Sequence, residues 1–404
     1  MTTQHTKMFT QSLREFIHFP ATQRSARNVS SSASLNGNRI SVRWPDNSEA
    51  SFPQQWLRDH CRCPECYNFD TNQRQVDTYH CVKEIAYSVS VRSSKLEVEF
   101  PTHKVSFSLP WLKSHQLPHK SPAPCFPYQD VGFPPKKKLW TNDSLELPRV
   151  AYKDYINELE AEKEALRGFD HYGILLVTGT PSKDMSATEA FGVKLGHFIL
   201  PTMYGTMWST QASQQKKSTQ DTAYGSDTLE VHTDCTYLRE TPGVQIFNCA
   251  IAAELGGENR FVDGFQLVKS LSMEAIAFFA TQAVPFGCND DGFDLRTDAC
   301  MIQGHGQGDV FIVNHFRHND YDRRVLQNWD AEAVEAFYEY HAELTSLIRK
   351  PQAEMSLLLD QGDMIVVDNQ RVMHGRYGFQ GTRALVGCYL NKDCVESRIR
   401  TLVY

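Results

Sequence analysis

Glu230-Val-His232-Thr-Asp234-Cys-Thr-Tyr237 sets an imidazole and a carboxylate two residues apart. Alternate side chains of an extended segment share a face, so both groups can reach one ion. A third donor, His374, lies in Asp368-Asn-Gln-Arg-Val-Met-His374-Gly-Arg376, just past the strand-like run Met364 to Val367. Two imidazoles and one carboxylate can hold iron(II) and leave open positions for reactants, the arrangement of non-haem iron oxygenases. A His-x-Asp pair by itself reads more readily as a hydrogen-bonded polar pair, so the weight falls on what surrounds it.

Nine residues after His374 comes Arg383, which opens the β-type run Ala384-Leu-Val-Gly-Cys-Tyr389-Leu. A guanidinium fork there is suited to bidentate capture of a carboxylate. The competing reading is a surface arginine in a turn bounded by Gly381.

With these residues in view, Tyr204-Gly-Thr-Met-Trp208, Asp221-Thr-Ala-Tyr224, His232 through Tyr237, Asn319-Asp-Tyr-Asp-Arg323 and His374 through Leu390 together resemble the Fe(II)- and 2-oxoglutarate-dependent dioxygenases of carnitine biosynthesis. The motifs run in the family's order over roughly residues 40 to 404. The resemblance implies a mainly β fold, a double-stranded β-helix of jelly-roll type with flanking helices. It implies iron at His232, Asp234 and His374, and 2-oxoglutarate as cosubstrate, with its distal carboxylate on Arg383. Asn259 is a helper where relatives often have threonine or serine. Ascorbate is the expected reductant, a homodimer the expected assembly. The substrate carries a trimethylammonium group, which donates no hydrogen bonds and is recognised by aromatic faces. Tyr204, Trp208, Tyr224 and Tyr389 match the family's cage positions; without the flanking motifs they read as core aromatics.

The family has a trimethyllysine branch and a gamma-butyrobetaine branch. Trimethyllysine bears an α-amino group that gamma-butyrobetaine lacks, and Asp221 is the acid expected to meet it. Asp221, the Cys235-Thr-Tyr237 sequence and the step from His374 to Arg383 resemble the trimethyllysine branch, which hydroxylates carbon 3. Gln370 stands where both branches usually carry tryptophan. A non-catalytic module that binds methylated amines, or a zinc hydrolase, is the rival reading; the sequence has no His-Glu-x-x-His helix for the latter.

Cys61-Arg-Cys63-Pro-Glu-Cys66 sets three thiols within six residues, and His103 follows the strand-like run ending at Phe100. Three thiolates and an imidazole make a closed tetrahedral shell for zinc; the tight spacing leaves unligated cysteines open. The Trp56-Leu-Arg-Asp-His-Cys61 context resembles the zinc-bearing N-terminal domain of the gamma-butyrobetaine branch, which implies structural zinc on Cys61, Cys63, Cys66 and His103. Cys81 is an alternative ligand.

A formal charge of −7 argues against a nucleic-acid footprint. Apolar residues make up 41% of the chain, without any run of the ~20 that a membrane-spanning helix needs. Eleven cysteines, an odd number, point to reduced thiols in an intracellular compartment. The first 45 residues hold Lys7, Arg14, Arg24, Arg27, Arg39 and Arg43 against one acid, Glu15. That composition fits a mitochondrial presequence over residues 1–39 and a matrix location, with a cytoplasmic protein and a frayed terminus as the alternative. Phe9, Leu13, Phe16 and Ile17 would form one helical stripe before Pro20.

Residues 40–117 alternate apolar and polar side chains in short runs, as a small antiparallel β module should. Six prolines between Leu117 and Pro135 mark a connector over 118–138, and 139–404 are expected to form the catalytic domain. Val334, Phe337, Tyr338, His341, Leu344, Leu347 and Ile348 recur at helical spacing after Asp330, a predicted N-cap. His341 then reads as a core or flank histidine. Gly304-His-Gly-Gln-Gly308 leads into a strand rather than a helix and reads as a turn.

Overall fold

A computed structural model describes residues 30–118, 125–210, 225–290 and 292–404. The expected helix around Phe9–Ile17 lies outside these residues. Two three-stranded antiparallel sheets frame the N-terminal module. Ser32–Asn36, Arg39–Arg43 and Glu49–Pro53 form one; Ser88–Arg92, Lys95–Glu99 and Lys104–Ser108 form the other. Their alternation decides their faces: Leu96, Val98, Val105 and Phe107 are buried while Lys95, Lys104 and Ser106 meet solvent. These faces close on Trp56 from the helix Gln54–Asp59.

The module does not stand apart. The Trp56 indole N–H donates to the Leu326 carbonyl at 2.9 Å, and one continuous apolar cluster runs from Ile40 to Phe337 and Met373. Beside it, the fully buried Asp59 carboxylate is met by Arg323 Nη1 at 2.9 Å, Arg74 Nη1 at 2.9 Å, the Thr78 hydroxyl at 2.9 Å and the Tyr338 hydroxyl at 2.9 Å. Burial pushes the Asp59 pKa up, but the guanidinium groups of Arg323 and Arg74 overcome it and hold the carboxyl well below its ordinary range.

Two sheets face each other in the catalytic body. The larger runs Arg149–Ala151, Ile174–Thr178, Met364–Asp368, Val244–Ile251, Ala384–Leu390, Trp208–Ser209, with only its first pair parallel. The smaller runs Leu229–His232, Val372–Arg376, Asn259–Asp263, Glu354–Leu357, all antiparallel. Ile174, Leu176, Phe247, Ile365 and Val367 point between the sheets onto Phe261 and Val372. Their strand neighbours Leu175, Val177, Ile246, Met364 and Val366 point outward, under the helices Leu159–Tyr172, Ser186–Gly196 and Lys392–Leu402. Both faces are covered, so these strands read as nearly unbroken apolar runs, and each fully buried Val, Leu or Phe contributes roughly 1.5–3 kcal/mol. The result is the jelly-roll-like pair of sheets with helices outside.

The helix Ala331–Ile348 starts at Asp330, whose carboxylate accepts from the Ala333 N–H at 2.8 Å. The glycine run differs from its reading as a turn. Gly304 and Gly306 sit inside the strand Ile302–Gln307, and only Gly308, at φ +61°, turns the hairpin into Val310–Phe316. A Cβ on Gly304 would meet the Ile312 carbonyl and one on Gly306 the Tyr128 ring, so close packing selects glycine there. Within the proline-rich stretch, Asp130–Gly132 pairs in parallel with Val310–Phe316.

Candidate active site

His232 ends its strand directly opposite His374 on the neighbouring antiparallel strand, with ring centroids 4.8 Å apart. Asp234 lies beyond the strand end. The chain turns there, with Cys235 at φ +56°, and Asn369 clamps the turn. Its Oδ1 accepts from the Asp234 N–H at 2.7 Å, while its Nδ2 donates to the carbonyls of Asp234 at 3.1 Å and Pro242 at 2.9 Å. The two-residue spacing therefore works through a held turn and not through one extended face.

Asp234 Oδ1 lies 3.2 Å from His232 Nε2 and 3.5 Å from His374 Nε2. Bonds of about 2.1 Å from a first-row ion, meeting at right angles, would separate such atoms by about 3.0 Å. The Glu230 carbonyl, 2.7 Å from His232 Nδ1, can only accept, so Nδ1 carries a proton and Nε2 is the nitrogen presented toward Asp234. The donor set fits a metal ion held on one face.

The other carboxylate oxygen is fully engaged. Gln245 Nε2 and the Tyr389 hydroxyl each donate to Asp234 Oδ2 at 2.6 Å. Gln245 and Tyr389 are cross-strand partners, so sheet register builds this cradle. Burial pushes the Asp234 pKa up, yet His374 and His232 hold the carboxyl well below its usual range; burial and Asp234 push the Tyr389 phenol well above its own. A carboxylate facing a protonated phenol is the consequence.

A cavity of about 120 Å³ opens over these residues. Arg383 reaches it and donates from Nη2 to Asn259 Oδ1 at 2.9 Å. Burial and the neighbouring Arg376 pull the Arg383 pKa down to about 10. Tyr204, Trp208 and Tyr389 line the same space, with the Trp208 and Tyr389 rings 6.0 Å apart. Gly387 makes room for that indole, since a Cβ there would strike the Trp208 ring and the Ile246 carbonyl. Asp221 and Tyr224 lie outside the described residues.

Several lining residues escape the sequence reading. Tyr237 stands 3.4 Å from the Tyr204 hydroxyl, and the Tyr321 hydroxyl accepts from the Glu230 N–H at 3.0 Å. For Gln245 a signal existed: it is the amide inside the otherwise apolar run Val244–Phe247. Gln370 is buried, with its amide donating to the Thr241 carbonyl at 3.2 Å.

In the N-terminal module, His103 Nε2 lies 3.5, 3.4 and 3.5 Å from the sulfurs of Cys61, Cys63 and Cys66. Zinc bonds of ~2.3 Å to sulfur and ~2.0 Å to nitrogen at the tetrahedral angle separate S from N by about 3.5 Å, so this group fits that ion. Cys81 is outside the group; its thiol faces the Thr78 carbonyl at 3.7 Å. His318, Asp320 and His341 also converge. There the Asp320 carboxylate already meets His341 at 2.9 Å and Arg323 at 3.1 Å, an internal ion network.

Residues 137–389 match the family described as Taurine catabolism dioxygenase TauD, TfdA family, and residues 32–113 match Gamma-butyrobetaine hydroxylase-like, N-terminal. The mitochondrial trimethyllysine dioxygenase of Gallus gallus is 32% identical, covering 91% of this chain and 87% of that protein. Its Homo sapiens counterpart is 30% identical over 88% and 84%. The gamma-butyrobetaine dioxygenase of Homo sapiens is 27% identical over 90% and 94%. Among solved structures, the non-heme iron oxygenase OrfP in complex with Fe and alpha-ketoglutaric acid aligns at a TM-score of 0.44 and 17% identity, covering 61% of this chain and 86% of that one. The chain belongs to the TauD, TfdA dioxygenase family.

Proposed function

We propose that this 2-oxoglutarate-dependent dioxygenase hydroxylates N6,N6,N6-trimethyllysine at carbon 3, releasing succinate and CO2, in carnitine biosynthesis. The observation that carries this reading is the convergence on one cavity of two histidines and an aspartate, a half-buried arginine and three aromatic rings, in a chain 32% identical to a trimethyllysine dioxygenase. Hydroxylation of gamma-butyrobetaine is the second reading, favoured by the match of residues 32–113.

In this reading His232, Asp234 and His374 hold iron(II), and Cys61, Cys63, Cys66 and His103 hold a structural zinc. Iron(II), when bound, supplies the redox chemistry that couples decarboxylation of 2-oxoglutarate to hydroxylation. The Gln245 and Tyr389 hydrogen bonds occupy Asp234 Oδ2 and would leave Oδ1, the oxygen that faces both imidazoles, to ligate. Arg383, steadied by Asn259, takes the distal carboxylate of 2-oxoglutarate. Phe247 and Leu385 line the space between and exclude water. Tyr204, Trp208, Tyr224 and Tyr389 receive the trimethylammonium group, and Asp221 the α-amino group.

Partners that orient a metal ligand typically sustain 10–100-fold of metal affinity or activity. Gln245→Leu removes one of the two donors to Asp234 and is expected to weaken iron(II) binding by about that factor. Equilibrium dialysis under anaerobic conditions measures it, and unchanged affinity would remove the cradle from the mechanism.

The substrate is settled by supplying iron(II), ascorbate, oxygen and 2-oxoglutarate, then measuring succinate with each amine. Trimethyllysine should sustain turnover; hydroxylation of gamma-butyrobetaine alone overturns the proposal. Asp221→Asn should impair trimethyllysine turnover far more than any turnover of gamma-butyrobetaine, and equal losses would remove the α-amino assignment. Relatives named as mitochondrial support a matrix location, checked by imaging the tagged full chain. Sedimentation tests the homodimer.

A further inference from the structure

Tyr321 and Asp322 line not only the iron-site cavity but a second one, of about 250 Å³, on the seam between the N-terminal module and the catalytic body. Arginines dominate its wall. Arg62 and Arg74 come from the module, Arg296, Arg323 and Arg324 from the body. Three of them have acids: Arg296 pairs with Asp294, Arg323 with Asp59 and Asp320, and Arg74 Nη1 with Asp59.

The remaining charge is only partly answered, since Arg74 shares the single Asp59 carboxylate with Arg323. Arg74 is 3% exposed, and its Nη2 is buried without a hydrogen-bond partner. Arg62 Nη1 is likewise buried and unpartnered, with its guanidinium stacked 4.1 Å above the Tyr67 ring. Among the described residues, no carboxylate lies within ion-pair distance of Arg62 or Arg324. Burial and the nearby Arg74 pull the Arg62 pKa down to about 10, but a guanidinium does not give up its proton in a protein. Water can satisfy an N–H; it cannot neutralise the charge. Arg62 and Arg324 are half-buried, where charges are screened less than at the open surface.

We propose that this cavity is a binding site for a small oxyanion, of the carboxylate or phosphate class, that bridges Arg62 and Arg74 of the module to Arg324 of the body. Guanidinium forks match the paired oxygens of either class. Bound there, the anion cross-links the two parts of the chain beside Tyr321.

The test uses the full-length, metal-loaded protein. Phosphate, sulfate and succinate are titrated against chloride at constant ionic strength, with the thermal midpoint and calorimetric affinity as readouts. At a hundred times its Kd, the preferred oxyanion should raise the midpoint by about 5 °C. Arg324→Gln, on the cavity rim, should lower that affinity tenfold or more while keeping wild-type iron content. Arg62→Gln should do the same, and if it does not fold, Arg324→Gln decides. Succinate can also occupy the iron site, so Arg383→Met is run alongside; the phosphate response should survive in it. No shift with any oxyanion, or Arg324→Gln responding like wild type, overturns the proposal. Neither readout depends on turnover, so the result stands whatever the substrate proves to be.

Discussion

Arg383→Met is expected to raise the 2-oxoglutarate concentration needed for half-maximal turnover by about 30- to 4,000-fold, because truncating one partner of a buried, hydrogen-bonded charge pair costs roughly 2–5 kcal/mol and 1.4 kcal/mol is tenfold. Arg383 is half-buried and its only side-chain hydrogen bond among the described residues runs to Asn259, a neutral group. A neutral amide orients the guanidinium without cancelling it, so the whole charge is left for an incoming carboxylate. Methionine keeps much of the side-chain volume, which confines the loss to the interaction. Iron content should be unchanged, since Arg383 makes no hydrogen bond to His232, Asp234 or His374. Steady-state kinetics in 2-oxoglutarate with parallel metal analysis checks both halves. An unaltered half-saturation point would take Arg383 out of the cosubstrate site.

The second large effect lies far from that cavity. Cys66→Ser should abolish zinc binding and lower the thermal midpoint by roughly 10 °C or more, since structural zinc in small modules is worth about 10–16 kcal/mol of apparent folding free energy. Cys66 is buried, and the sulfurs of Cys61 and Cys63 share one imidazole with it, so a hydroxyl leaves that shell one ligand short. Because the module shares an apolar cluster with the catalytic body, the loss should be felt by the whole chain in one transition. Zinc stoichiometry by elemental analysis and calorimetric unfolding are the measurements. Wild-type protein purified without zinc, or a variant of unchanged midpoint, would refute the closed shell.

Much of this was legible in residue order. The apolar runs around Val244, Met364 and Ala384 announced strands because both of their faces are covered, and Asp330 announced a helix because an acid before an amphipathic repeat caps it. His232, Asp234 and His374 stood out because few side chains ligate metals. What stayed hidden depends on register. Gln245 becomes part of the site only because it lies opposite Tyr389, and Asn369 only because the chain turns at Asp234. Neither pairing can be read from spacing along the chain, as each joins segments more than a hundred residues apart. The glycines at Gly304 and Gly306 misled for a related reason: turn chemistry and tight packing select the same residue.

The Asp59 carboxylate answers Arg74 from its own module and Arg323 from the body with a single negative charge. A catalytic body expressed alone would expose Arg323 and Tyr338 at a raw, charged face, and a module grafted from a distant cousin would have to bring an acid to the same spot. The two parts are thus expected to fold as one unit, and anyone trimming this enzyme for engineering should cut elsewhere.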